Sequence, residues 1–514
     1  MTERTTLAIA GYAVLMMSIV TRAEDRPQWG ERYSRNMISH EKNLPDSFDP
    51  GTRNRDGGID LPEASGVKWV ARLGGLSYGT PVVAGGKVFV GTNNDAPRDE
   101  RMQGDRGVLM CFDEATGKFL WQLVVPKLED ERVKWGDWRQ IGLTSPPAVE
   151  AGRAYLVTNR CEVVCVDVEG MANGNDGPYT DEAKHMALDG QPPLEPGPTD
   201  GDIIWLFDVI RQTKAEPHNG SNCSILLRGD LLYVCAANGV EWTHMYVKHP
   251  EAPSLIVLDK NTGKLVARDD FGIGPDITHG QWSSPAMAAV GGRELGFFGA
   301  GNGVLYAFEM LDPSRLGDGA ELLTNVWKFH GHPLAQTEDR VPVDHQHDST
   351  SYQVTGMPVF SKDRLYVPFT QEPFHNMKLA RLACLDATKT GDVTRSALVW
   401  SYDEIAATCS TVAVADDLVY AADFYGKLHC LDAQTGECYW VHEAGGPIWG
   451  SPLVADGKVY LGTGKQLFWV LKAGKDLSVV NEIRMRDKVL STPVAANGVL
   501  YVMTNKHLYA VTGR

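Results

Sequence analysis

Several kinds of chemistry are missing from this 514-residue chain. It contains no CxxC pair and no HExxH, so neither of these zinc-site patterns is encoded. It has no CxxCH, which excludes covalent c-type haem. Nucleophile elbows, phosphate loops and dinucleotide fingerprints are absent, and the glycine-rich Gly299–Gly303 reads as a turn. Positive charge is scarce. Against 65 Asp and Glu stand 49 Lys and Arg, a net charge of −16. That balance argues against nucleic acid and anionic membrane surfaces as partners. The apolar run at residues 5–20 follows Arg4 and is shorter than a good membrane span. With Thr21-Arg22-Ala23 as a cleavage site it reads as a secretory signal peptide over residues 1–23, and it predicts a periplasmic or secreted protein. The first cysteine is Cys111, so no lipid-bearing cysteine follows the signal and a lipoprotein is not expected.

What the chain has in quantity is repetition. Leu428–Trp440 reads LHCLDAQTGECYW: a strand, a turn closed by Gly436 and the start of a returning strand. Related segments occur at Gly107–Gln122, Ser254–Lys264 and Arg381–Asp392, with weaker copies at Val163–Asp167, Leu305–Glu309, Phe468–Lys472 and Leu508–Thr512. A second pattern, Ser/Thr-Pro, strand, turn, then Val-Tyr or its equivalent, precedes each copy; Ser451–Thr463 and Thr80–Thr92 are clear cases. Each unit therefore holds four short strands, and eight units fill the chain. The expected fold is all-β, an eight-bladed β-propeller of four-stranded blades over residues 67–514. The last unit has only three strands. An N-terminal strand at about 67–73, VKWVARL, is expected to complete it and close the ring. Residues 24–66 read as an ordered lead-in lying against the propeller. Loop insertions are expected at about 170–201 and 309–352, with shorter ones at 93–106 and 241–253.

Nine cysteines are present. Cys111, Cys165, Cys384 and Cys430 share one register position, where the other units carry Val or Ala, so they read as small core residues. Cys223 and Cys235 flank a tight turn, and a cross-strand disulfide between them is compatible with a three-residue loop.

These units resemble the PQQ-like propeller repeat of quinoprotein alcohol dehydrogenases and of BamB-type outer-membrane assembly factors. The whole chain, with its segment Pro27–Pro45, looks like secreted propeller proteins of planctomycete-type bacteria. The resemblance is specific for fold and not for function. It implies a ligand site where the innermost strands begin. One ring of residues there is Tyr78, Thr144, Asn222, Trp282, Thr355, Cys409, Trp449 and Leu490; the ring one position earlier is Ser77, Leu143, Ser221, Gln281, Val354, Thr408, Ile448 and Val489. His218 and His279 lie beside them. The candidate cofactor- or ligand-binding set is thus Tyr78, His218, Asn222, His279, Gln281, Trp282 and Trp449, aromatic faces with a few polar groups. A separate candidate metal set is His345, His347 and Asp348 in DHQHDS, with His330, His332 or His375 as added ligands.

The dehydrogenases of the resembled family use a vicinal Cys-Cys disulfide, a Trp under the quinone, Ca²⁺ held by oxygen ligands, and an Asp base. This chain has no adjacent cysteines and no alignable Glu and Asp pair. Trp282 and Trp449 would serve as the floor and Asn222 as one oxygen ligand. Three functions stay open. The first is an exported binding or scaffold protein holding a small molecule or protein partner at the channel mouth. The second is a periplasmic dehydrogenase of alcohols or sugars using PQQ with calcium and passing electrons to a separate cytochrome. The third is a metal-dependent hydrolase or lyase on His345, His347 and Asp348.

Overall fold

The shared small residue of the repeat is the centre of every blade. Cys111 pairs with Phe89 on one side and Trp121 on the other. The same ladder recurs as Tyr155–Cys165–Trp205, Tyr366–Cys384–Trp400 and Tyr420–Cys430–Trp440. Alanine takes the place in Phe297–Ala307–Trp327 and Tyr501–Ala510–Trp69. A thiol or methyl fits between two large rings where a longer side chain would not. In all eight blades a β-bulge follows this central residue. The bulge strengthens the local twist of the outer strand pair.

The computed structural model describes residues 24–513 except 130–132, 134, 318, 339–350 and 374–377. Within them eight antiparallel four-stranded blades form an all-β propeller, three of them extended by a two-residue parallel strand. Blade 1 runs from Val82–Ala84 to Phe119–Pro126, and blade 2 from Ala148–Glu150 to Ile203–Asp208. Blade 3 runs from Leu226–Arg228 to Leu265–Arg268, and blade 4 from Ala286–Val290 to Asn325–His330. Blade 5 spans Val359–Ser361 to Leu398–Tyr402, blade 6 Ala413–Ala415 to Cys438–Glu443, and blade 7 Leu453–Ala455 to Val479–Arg484. Blade 8 takes three strands from the C-terminal end of the chain, and its fourth is Val67–Arg72, paired with His507–Thr512. The ring is closed by the N-terminal strand as expected. The expected insertion at 309–352 includes the outer strand of blade 4, and that at 170–201 carries the short helix Glu182–His185.

Tryptophans of the outer strands fasten five of the eight blades to the next. The Trp69 indole donates to Glu114 O at 3.0 Å, Trp121 to Val168 O at 2.9 Å and Trp205 to Lys260 O at 2.9 Å. Trp400 donates to Ala433 O and Trp440 to Gly474 O in the same manner. At Trp69, Trp121, Trp205 and Trp400 the turn glycine of the following blade lies on the indole face. A Cβ at Gly117, whose φ is +71°, would come within 2.5 Å of the Trp69 ring. Glycine is therefore required there both for conformation and for space.

The lead-in does more than lie against the ring. Arg26 pairs with Val83 of blade 1, and Pro27 O accepts from Val149 N of blade 2. Arg35, fully buried, donates to Ser224 O of blade 3 and to Pro285 O, just ahead of the innermost strand of blade 4. Ser34 O accepts from Phe360 N of blade 5, and Asn36 exchanges bonds with Val414 of blade 6. Ile38–Ser39 adds a parallel strand to blade 7, and the Ser39 hydroxyl donates to Ala495 O of blade 8. One segment thus contacts all eight innermost strands or their entry loops and covers exposed strand edges around the channel.

All nine cysteines are free thiols. The Cys223–Cys235 disulfide that a three-residue loop would allow is not formed. The hairpin turns on two residues, Gly229 and Asp230, and pairs Arg228 with Leu231, which puts Cys223 and Cys235 one step out of register.

Candidate functional site

The loops that enter the innermost strands enclose a cavity of about 770 Å³. All eight residues of the later register ring, Tyr78, Thr144, Asn222, Trp282, Thr355, Cys409, Trp449 and Leu490, line it. None of the earlier ring does. Side chains alternate along an extended strand, so neighbouring register positions face opposite ways. Gln281 is corrected on that ground. Its amide donates to Asn238 O at 3.0 Å and Ser254 Oγ at 2.9 Å, so it braces two blades and does not face the cavity. Tyr78, His218, Asn222, His279, Trp282 and Trp449 are brought together. His345, His347 and Asp348 lie outside the described residues, as does His375.

The walls are aromatic. Tyr78 and Trp449 meet at 5.0 Å between ring centroids, and Phe424 packs edge-on against Trp449 at 5.1 Å. Trp29 of the lead-in reaches the deeper part, where its indole donates to Thr492 Oγ1. Trp135 and Trp138, between blades 1 and 2, form a pair 5.2 Å apart on the other side. Trp138 and Trp242 stand about half exposed at the rim, beside Arg139. The walls also carry little charge. Burial raises the Tyr78 hydroxyl above its ordinary range and pushes the Cys409 thiol up to about 12, with Glu372 adding to it. Both stay protonated at neutral pH, so Cys409 is not a thiolate nucleophile.

Three histidines converge on one side of this cavity. His218 lies ahead of the first strand of blade 3, His279 ahead of that of blade 4, and His244 in the insertion within blade 3. Ring centroids are 4.6 Å apart for His218 and His244, 4.5 Å for His218 and His279, and 5.0 Å for His244 and His279. One ligand atom from each lies within 4.8 Å of the others. The backbone holds the three loops together: Gly239 N donates to Glu216 O and Val240 N to His279 O. Gly239 is needed because a Cβ there would stand 2.8 Å from His218 Cβ and 2.9 Å from His279 O. His218 Nδ1 is 2.9 Å from Val240 O, and His218 Nε2 is 2.8 Å from His244 Nε2.

The sequence reading missed His244, Trp242, Trp135, Trp138 and Trp29. All lie in connecting segments outside the repeat, where register cannot place them. The available signal was composition: WGDW at 135–138 and EWTHMY at 241–246 are dense in aromatics for loops.

The comparisons agree on the architecture. A family model described as outer membrane protein assembly factor BamB matches residues 378–480. Among solved structures, BamB from Moraxella catarrhalis superposes with a TM-score of 0.52 at 12% identity, over 87% of this chain and 97% of that one. The PQQ-like repeat is matched over residues 378–480, and the chain as a whole has the propeller fold. A europium-containing methanol dehydrogenase is similar at a TM-score of 0.54 and 13% identity, over 93% of this chain and 89% of that one. Identities this low extend to the fold alone. No curated protein sequence matches the chain.

The likeness to a dehydrogenase makes a quinone with a hard cation the cofactor to test against the residues. Calcium takes six to eight oxygen ligands, carboxylates foremost. Among the described residues the cavity wall contains no Asp or Glu. Asn222 supplies one amide oxygen, buried and without a hydrogen-bond partner. The described residues do not fit a quinone–calcium pair.

Proposed function

We propose that this chain is an exported binding propeller that takes a flat, largely apolar small molecule into the aromatic cavity at its channel mouth. The cavity carries the reading: about 770 Å³ walled by Tyr78, Trp29, Trp135, Trp282 and Trp449, with Asn222 offering an unpartnered oxygen. A volume of that size suits a drug-sized ligand, and rings favour planar faces. Tyr78 and Cys409, both protonated, add no anionic group to the wall, which suits a ligand of low charge. Export rests on the signal-like residues 1–23. The likeness to methanol dehydrogenase keeps a PQQ-dependent alcohol or sugar dehydrogenase as the second reading, weakened by the wall's lack of carboxylates.

The test is a tryptophan-fluorescence titration of the chelator-treated protein with planar aromatic compounds and saturated ring compounds of matched size. Saturable quenching by the planar set alone is expected. Loss of one stacking face costs about 1.5–3 kcal/mol, so Trp282→Ala and Trp449→Ala should each weaken binding about 10–100-fold. Equal response to both sets would remove the reading. Reduction of a dye by alcohols or sugars with PQQ and Ca²⁺ present would replace it with the dehydrogenase.

A further inference from the structure

We infer that His218, His244 and His279 form a binding site for a divalent transition-metal ion of the zinc class, with one coordination position open to the aromatic cavity. The inference deepens the binding reading and rests on it only for what fills that open position. Three independent loops deliver three imidazoles to one point, and the backbone bonds that bring them there run between the loops themselves: Val240 to His279 and Gly239 to Glu216. Imidazole nitrogen selects zinc, copper, nickel or cobalt over calcium and magnesium. Protein-bound zinc sites with three histidines leave a fourth position for water or a ligand, whereas structural sites are closed by four protein ligands.

The outer contacts suit a metal ligand. A hydrogen bond from Nδ1 of His218 to Val240 O selects the tautomer whose Nε2 lone pair faces the other two rings, the usual arrangement behind a metal-bound imidazole. At 2.8 Å one of the His218 and His244 Nε2 atoms donates an N–H to the lone pair of the other. A metal ion displaces that N–H hydrogen and takes both lone pairs. A metal–nitrogen bond of about 2.1 Å sets ligand atoms roughly 3.4 Å apart in a tetrahedral site. Reaching that spacing moves the set by about an ångström or less per ring: the His218–His244 pair opens from 2.8 Å and the wider pairs close from within 4.8 Å, with His244 half-buried on its loop. All three rings border the cavity, and Trp282 packs edge-on against His279 at 5.2 Å, so the open position faces the aromatic wall. The ligand class that follows is a planar molecule with a carboxylate, phenolate or similar donor at one end.

The test uses the metal alone. Full-length protein is stripped with chelator and titrated with Co²⁺, followed by its visible d–d bands, and with Zn²⁺ by calorimetry. One ion per chain with a tetrahedral Co²⁺ spectrum is expected. His244 has φ +62°, a conformation asparagine tolerates, so His244→Asn keeps the loop and should weaken binding at least about 100-fold. His249→Asn, at a histidine of the same insertion that sits beside Glu216, should leave it unchanged. A wild-type protein without stoichiometric binding, or a His244→Asn variant that binds like wild type, overturns the site. Ligand quenching in chelator-treated protein is scored separately, so a failed metal site leaves the cavity reading standing, and a failed cavity reading leaves the metal result intact.

Discussion

Trp121 and Trp327 occupy the same register position in blades 1 and 4, and each is 1% exposed. They differ in one bond. The Trp121 indole donates to Val168 O in the next blade, whereas Trp327 Nε1 is buried with no acceptor among the described residues. Replacing either by phenylalanine removes the same apolar atoms, so the cavity penalty is shared and cancels in the comparison. What remains is the hydrogen bond. Trp121→Phe strands a carbonyl, and Trp327→Phe removes a donor whose burial already costs free energy; each effect is about 1–3 kcal/mol. Trp121→Phe should therefore be the more destabilising by about 2–3 kcal/mol, allowing for partial hydration of Val168 O. For a chain of this length the per-residue unfolding entropy makes 1 kcal/mol worth roughly 1 °C. A gap of about 2–3 °C in calorimetric midpoint is expected, with a matching gap in urea midpoint at unchanged slope. Equal midpoints, or a less stable Trp327→Phe, would refute the view that the indole bond, and not indole volume alone, fastens one blade to the next.

Arg35→Ala should cost about 3–5 kcal/mol, because several carbonyls lose a buried charged donor, and limited proteolysis should then cut within residues 24–39, which wild type protects. Asp202 is fully buried, and burial, with Glu182, Asp167 and Asp176 adding to it, raises its carboxyl to about 6 from 3.8. A raised carboxyl contributes stability at low pH that is lost as pH climbs through about 6, so wild-type thermal stability should fall across that range and Asp202→Asn should flatten the profile; an unchanged slope in the variant would discard this assignment.

The fold was legible because the repeat is a physical object. A small residue between two rings, a turn that needs glycine and a proline-led inner strand must recur wherever four strands pack against a neighbouring blade. The missing eighth outer strand could be found from Trp69, whose match to Trp121 marked a fourth strand without a blade. The Cys223–Cys235 pairing failed on turn length: a two-residue turn and a three-residue turn shift the ladder by one, and the sequence Arg228-Gly229-Asp230 accommodates either.

Half of the site was legible for the same reason, and its limit is instructive. Repeat register placed eight wall residues, one per blade, because each innermost strand enters the channel at an equivalent point. Taking the preceding ring as well drew in Gln281, which period-2 alternation turns toward Asn238 and Ser254. The third histidine was out of reach by this route. His244 belongs to no repeat, and only the bridge of Val240 to Val247, with the bonds from Gly239 and Val240 to the neighbouring loops, folds its insertion back over His218 and His279. The repeat thus sets a symmetric wall, and the departures from symmetry supply what could distinguish one ligand from another. The three histidines, Trp242 and the Trp135–Trp138 pair all sit in non-repeating segments around blades 1 to 4, whereas the blade 5 to 8 side contributes Thr355, Cys409, Trp449 and Leu490 from the register itself. Specificity in this propeller should accordingly be altered by changes in the blade 1 to 4 loops, while changes to the register ring should alter affinity for planar ligands in general.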